Sequence, residues 1–371
     1  MNEDRATRYH RLKRRALVLS LAWSGLLLII LLVTGVSVQL RMAAQRLAAA
    51  IGDAGPATVV LFYVAGLMLL HETGSVVLSF YSSFVVERRY GLSNERFAGW
   101  LLDQGKALGL GLLLGGAAAS LVYFFIRRSA GGWWLPAGAV FALLIIGLAN
   151  LAPVVLLPLF YRVKPLDRDA LRRRLMALAD RAGARVLGAY EWGLGDKTKK
   201  ANAALAGLGT TRRILVSDTM LAEYSDEEIE IVLAHELAHH VHGDIWKGIA
   251  FESALVIGGF FLAARALAGT VAWLGLEGPG DPAGLPLLLL AAGGLSVVMV
   301  PAAYAMSRAF ERSADRFALE LTRNPGAFVS AMRRLAAQNL AEDRPSRVIQ
   351  WLFYSHPPVA ERIAAAQAFK R

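Results

Sequence analysis

His235, Glu236 and His239 stand in the order H-E-x-x-H inside the run "SDEEIEIVLAHELAHHVHGD", which packs four of the chain's seven histidines into eight residues. The spacing carries chemistry only on a helix. There, residues four apart lie about 40° apart in azimuth and one turn apart along the axis, so two imidazoles reach one cation. The flanking residues predict that helix. Ser225 and Glu228 form a capping box, and Asp226, Glu227 and Glu228 suit the positive end of its dipole. Ile229, Val232, Leu233 and Leu237 keep helical spacing, and Gly243 is a stop signal. Glu236, between the histidines, reaches water on such a cation without being a ligand, the position a general base needs. His240 lies well round the helix and His242 two turns beyond His235, so both read as solvated or supporting histidines.

A catalytic zinc site takes three protein donors and leaves a position open. The remaining donor must come from elsewhere, and "SRAFERSADRFALEL" offers Glu311 and Asp315 one helical turn apart. Residue types alone leave this open, because both carboxylates would serve equally as ion-pair partners of Arg308, Arg312 or Arg316 on a wet helix face. The chain has no cysteine, which excludes disulfides and thiolate zinc sites.

Composition sets the elements that must position these groups. Of 371 residues 56% are hydrophobic, too apolar for one soluble domain. Six segments reach the ~20 mostly apolar residues that a helix needs to span hydrocarbon: 16–38, 57–80, 107–126, 135–160, 249–274 and 285–306. The first follows "RYHRLKRRA", but its apolar stretch exceeds the ~7–15 residues of a signal-peptide core, so it reads as a span. Residues 1–160 are then an N-terminal membrane region with four helices, 161–248 a domain carrying the H-E-x-x-H helix, 249–306 two further spans, and 307–371 a C-terminal segment completing the site.

Lys and Arg crowd the N-terminus, "VERRYGLSNER", 161–248 and the C-terminus, whereas "LEGPGDPAG" is acidic. That puts the basic pieces in the cytoplasm, with Arg127 and Arg128 as exceptions. Trp133, Trp134 and Trp273 are expected in an outer aromatic belt and Trp246 in an inner one. Two crossings separate His239 from Glu311, and an even number returns the chain to the side where the carboxylate can meet the histidines. The formal charge of +11 is read as positive-inside bias and not as a nucleic-acid surface, since no basic recognition helix or aromatic-interleaved basic strand is present. His71 and Glu72, within the second span, are too costly to face lipid and should point into a protein- or water-lined interior. "ANAALAG" and "RRILVSD", joined by "LGTT", read as a strand pair ahead of the active-site helix.

"HELAH", followed after two spans by "ERSAD", resembles the membrane gluzincin peptidases. "VVERRYGLSNERFAGWLLDQGK", "LPLFYRVKPLDRDALRRRL", "ANAALAGLGTTRRILVSDTML" and "SHPPVAERI", in that order, narrow the resemblance to the type I CAAX prenyl protease family over most of the chain. The resemblance implies one Zn²⁺ per chain held by His235, His239 and Glu311, with Asp315 holding a ligand histidine in its tautomer and Glu236 as general base. It also implies that His356 in "SHPP" and Asn202 in "ANAA" donate to the oxyanion of the reaction. Without it they read as a turn residue before Pro357 and a strand-end residue. In such relatives one strand edge holds the substrate as an added strand. Where the family often has an aromatic two residues after the asparagine, this chain has Ala204.

The expected fold class is a polytopic α-helical membrane protein of about six transmembrane helices with a cytoplasmic α+β zincin-like catalytic domain. The expected function is an integral-membrane zinc metalloendopeptidase of the bacterial cytoplasmic membrane, its active site on the cytoplasmic side. Its partners are peptide or protein substrates, prenylated or membrane-associated, and membrane lipid, with no nucleic acid. Removal of the C-terminal tripeptide after a prenylated cysteine is the reaction the resemblance implies. A quality-control peptidase without prenyl requirement is the alternative, and a zinc-dependent transporter or binding protein with a structural site the alternative of another class. An intramembrane peptidase fits poorly, since "SDEEIE" is too charged for that depth.

Overall fold

The computed structural model describes residues 4–129, 131–151, 155–207 and 212–369. The N-terminal region holds α1 (Arg5–Val33), α2 (Val36–Ala50), α3 (Pro56–Ser79), which runs through a π-helical turn at Phe80–Val85 into α4 (Val86–Arg89), then α5 (Phe97–Arg128), α6 (Trp134–Leu151) and α7 (Leu157–Phe160). A mixed α/β stretch follows: β1 (Val163–Pro165), α8 (Asp169–Arg181), β2 (Ala189–Trp192), β3 (Ala203–Ala206), β4 (Arg213–Ser217), α9 (Asp218–Glu223) and α10 (Asp226–Val241). The chain closes with α11 (Asp244–Thr270), α12 (Leu285–Thr322), α13 (Pro325–Gln338), α14 (Arg347–Phe353) and α15 (Val359–Ala368).

Among the described residues, five helices are long and apolar enough to cross a membrane: Arg5–Val33, Pro56–Arg89, Phe97–Arg128, Asp244–Thr270 and Pro282–Thr322. In the first, 11% of the apolar window is buried inside the protein. Leu17, Leu19, Leu26 and Ile30 point outward, so this surface needs a non-aqueous surround, and the protein is an integral membrane protein. The fourth expected span, 135–160, falls on α6 and α7, and its apolar stretch among the described residues, Trp134–Ala149, is shorter than the other five. Pro153 and Pro158 interrupt that stretch in sequence, and residues 152–154 lie outside the described residues. The first span also stops early. Gly35 takes φ 73°, and a separate helix, α2, packs beside α3. There Arg41 pairs with Asp281 at 2.5 Å and Ser37 donates to the Ala283 carbonyl, tying α2 to the turn before α12 at the end remote from the histidines. Trp133 is not a belt residue: it is buried against Phe260, whereas Trp273 and Trp246 are exposed. His71 faces α1, its Nε2 2.9 Å from Ser24 Oγ, beside Trp23, whose Nε1 donates to the His71 carbonyl.

The sheet order is β1-β2-β4-β3, with β2 and β4 parallel and the outer pairs antiparallel. The "LGTT" connection between β3 and β4, residues 208–211, lies outside the described residues. One face of the sheet packs Leu205, Ile214 and Val216 into a core with Ile229, Val232, Leu233 and Leu237 of α10 and with Phe328 and Met332 of α13. Ala318 and Leu319 of α12 enter the same core. A single helix therefore runs from the membrane bundle into the α/β body. Along its apolar part it packs on α11, where Gly259 faces Ala292 and the small pair lets the two backbones approach.

The start of α10 is built as its sequence prescribes: Glu228 N donates to Ser225 Oγ (3.2 Å) and Ser225 N to Glu228 Oε2 (2.9 Å). The Glu228 carboxylate also accepts from Ser330 Oγ (2.6 Å) and Arg334, so the capping box fastens α10 to α13. Burial alone would raise this carboxyl, but those donors outweigh it and hold it below the usual glutamate range. A carboxylate depressed on folding contributes stability above its unfolded pKa and loses that contribution as pH falls through the folded one. Glu228→Gln is expected to destabilise the detergent-solubilised protein by about 1–2 kcal/mol at neutral pH. Thermal unfolding followed by tryptophan fluorescence should show that deficit shrinking as pH drops below the carboxylate range.

Candidate metal centre

α10 presents the two histidines on one face because they are four residues apart, and their rings meet edge to face at 5.0 Å. Opposite them α12 presents Glu311, five residues or about 7.5 Å of helix past the end of the predicted apolar stretch at Met306. His235 Nε2 lies 3.2 Å from Glu311 Oε2, and His239 Nε2 lies 3.6 Å from Glu311 Oε1. One donor atom from each of the three residues falls within 4.8 Å of the others.

Each imidazole is gripped from behind. His235 Nδ1 lies 2.9 Å from Asp315 Oδ1, one turn after Glu311 on α12. His239 Nδ1 lies 3.1 Å from Asp244 Oδ2, which Gly243, at φ 67°, sets at the start of α11 directly after α10. With Nδ1–H donated to a carboxylate on each ring, both Nε2 lone pairs face Glu311. Asp315 is itself held by Arg362 of α15, through Nε (2.8 Å) and Nη2 (2.5 Å). The expected rivals of this arrangement pair elsewhere: Arg308 donates to the Gln350 and Tyr354 carbonyls, Arg312 to Glu361, and Arg316 lies nearest Glu320.

The donor set fits a small divalent cation. Glu311 Oε2 is buried and accepts no hydrogen bond despite its closeness to His235, so two lone-pair atoms face one another across the site. Around a tetrahedral ion with bonds of about 2.0–2.1 Å, ligand atoms stand about 3.3 Å apart, close to the 3.2 and 3.6 Å that separate Glu311 from the two imidazoles. Burial disfavours the charged imidazole of His235, but the adjacent Asp315 and Glu311 carboxylates outweigh it and raise His235 to about 9, so a proton and a cation compete for this nest of carboxylates. Burial likewise lifts the Glu236 carboxyl above the ordinary glutamate range, opposed in part by His235 and His239.

His356 joins the group, its Nε2 3.2 Å from Glu311 Oε1 and its Nδ1 2.9 Å from Ser355 Oγ. Asn202 stands exposed at the head of β3, its carbonyl accepting from Ser217 N and its amide N donating to Ser217 Oγ. His240 turns away from His235 and His239 and donates through Nε2 to the Leu205 carbonyl (3.2 Å), and His242 Nδ1 lies 3.2 Å from Ser313 Oγ. Sequence reasoning passed over Asp244 and Arg362. The first follows a predicted helix stop five residues after His239, and the second lies inside the quoted "SHPPVAERI", so both positions carried a signal.

A family model described as peptidase family M48 matches residues 165–370. A second, described as the CAAX prenyl protease N-terminal region with five membrane helices, matches residues 2–162. Among curated proteins, an uncharacterized metalloprotease, YhfN, of Bacillus subtilis is 34% identical over 219 residues, 58% of this chain and 51% of that one, so the match spans about half of that relative. A CAAX prenyl protease 1 homolog of Oryza sativa subsp. japonica is 27% identical over 312 residues, 83% of this chain and 73% of that one. The crystal structure of S. mikatae Ste24p aligns with a TM-score of 0.88 at 22% identity, over 97% of this chain and 88% of that one, which shows the same fold.

Loss of either carboxylate behind a ligand imidazole should weaken metal binding without unfolding the protein. Asp244→Asn and Asp315→Asn are each expected to lower Zn²⁺ affinity about 10–100-fold, measured by competition with a chromophoric chelator.

Proposed function

The chain belongs to peptidase family M48, and on that premise we propose that it is a zinc metalloendopeptidase that cuts extended peptide at the face of a bacterial cytoplasmic membrane. The observation that carries this reading is the convergence of His235, His239 and Glu311 beside Glu236 on two helices that share one core. Lys and Arg are frequent at the metal end of the bundle, Arg5 to Arg15 included, which supports a cytoplasmic site.

Zinc held by His235, His239 and Glu311 would supply Lewis acidity toward water and the scissile carbonyl. Glu236 takes a proton from the attacking water at its carboxylate and passes it to the leaving amine, two duties that a carboxyl raised by burial can share. Asp244 and Asp315 keep Nδ1 of the two imidazoles protonated, leaving Nε2 for the ion. His356, beside Glu311, and Asn202, at the head of β3, hydrogen-bond the oxyanion that develops on the scissile carbonyl. The substrate lies along β3, one of the two edge strands of the sheet. Since the Asn202 carbonyl accepts the Ser217 N–H in the ladder, alternation turns the backbone groups of Ala203 and Leu205 to the open edge. His240 already takes the Leu205 carbonyl, so the open stretch is short and ends beside α10.

The reading extends to substrates that end in a prenylated cysteine and three further residues. The match of residues 2–162 to a CAAX prenyl protease N-terminal region and the name of the Oryza relative support that choice.

Glu236→Gln, purified with its zinc in place, should turn over a reporter peptide at least about 100-fold more slowly than the parent. Parental turnover by that variant would sink the assignment. A farnesylated CAAX peptide should show a higher kcat/KM than its unprenylated form, and equal values would move the substrate to unlipidated membrane proteins.

A further inference from the structure

The "ERRYGLSN" stretch lies outside the metal centre, yet its contacts lead to β3. The Glu87 carboxylate, 12% exposed, accepts from Tyr9 Oη at 2.6 Å and Lys13 Nζ at 2.9 Å, both on α1, and its second oxygen lies 2.9 Å from Lys200 Nζ. Lys200 Nζ also donates to Tyr9 Oη at 2.9 Å. Lys13 spends a further proton on the Ser82 carbonyl within the π-helical turn, where the α-helical ladder is broken. One carboxylate thus balances two ammonium groups from distant parts of the chain.

Lys200 is two residues before Asn202, and the residues ahead of it are clipped to the same loop. The Leu92 carbonyl accepts from Lys199 N and Thr198 Oγ1, each at 2.9 Å, while the Lys197 carbonyl accepts from Asn94 N at 3.0 Å and Ser93 Oγ at 3.1 Å. Beyond Lys200, Thr219 Oγ1 takes its carbonyl and Asn339 bonds Ala201 through both side-chain atoms. A four-residue edge strand with one ladder partner frays unless its ends are fixed. On the N-terminal side, Thr219 and Asn339 share that task with the membrane region. It packs its own small apolar cluster of Tyr9, Val86, Tyr90 and Leu92, separate from the core that holds α10 and α12.

We propose that Glu87 is a positioning residue for peptide binding, anchoring the head of β3 and Asn202 to α1 and α4 through Lys200, independently of the metal ligands. The proposal rests on the reading of β3 as the strand that pairs with substrate. The contact also gives the membrane bundle a grip on the binding edge that does not pass through α10 or α12.

The test compares Glu87→Gln, Lys200→Met and Lys200→Arg in the full-length, zinc-loaded protein. Glu87→Gln and Lys200→Met should raise KM for a reporter peptide about tenfold with kcat within about twofold and zinc content unchanged. Lys200→Arg, which keeps the charge, should restore parental KM. Hydrogen exchange without substrate supplies a readout independent of peptidase activity. In Lys200→Met the amides of 201–206 should exchange at least about tenfold faster, with those of 226–241 unchanged. Faster exchange at 201–206 with KM unchanged would overturn the substrate-strand reading while leaving the anchor. Unchanged exchange there, or zinc lost in step with activity, would overturn the anchor itself.

Discussion

Everything in this protein is subordinate to one convergence: a carboxylate on α12 must meet two imidazoles on α10 with their lone pairs turned inward. The cost is plain in the contacts. Glu311 Oε2 is buried without a hydrogen bond, a condition that costs about 1–3 kcal/mol unless a cation takes it. Asp244, Asp315 and Arg362 spend their own hydrogen bonds on holding that geometry. The shared core of Ala318 and Leu319 with Val232, Leu233 and Leu237 makes the meeting rigid, since neither helix can slide without opening it.

The same convergence explains why bundle and catalytic body are one structure. α12 is apolar over its first part and carries Glu311 with Asp315 near its end, while α11 begins with Asp244 behind His239 and then enters the apolar bundle. Among the described residues, two of the five long apolar helices therefore bear residues of the candidate metal centre directly. A third, running from Pro56 to Arg89, reaches the body by Glu87 near its end, where a π-helical turn and a buried ion-pair hub replace the regular ladder.

Much of this was legible because the relevant signals are local. The capping box at Ser225, the H-E-x-x-H spacing and the stop at Gly243 each act within one or two turns, and the helix follows them residue for residue. Parity of crossings was enough to bring Glu311 within reach of the histidines without saying how closely. What was not legible depended on partners far apart in sequence. Nothing near Asp315 names Arg362 as its clamp, and nothing near Lys200 points to Glu87. Residue type also placed Trp133 at an interface, although it is packed against Phe260.

X-ray absorption at the zinc edge of the loaded protein, parent beside Glu311→Ala, tests the central convergence most directly. The account predicts one zinc with two imidazoles and oxygen donors at about 2.0–2.1 Å in the parent, and a changed oxygen shell with much weaker zinc retention in the variant. A shell with more than two imidazoles, or a spectrum and affinity indifferent to Glu311, would contradict it.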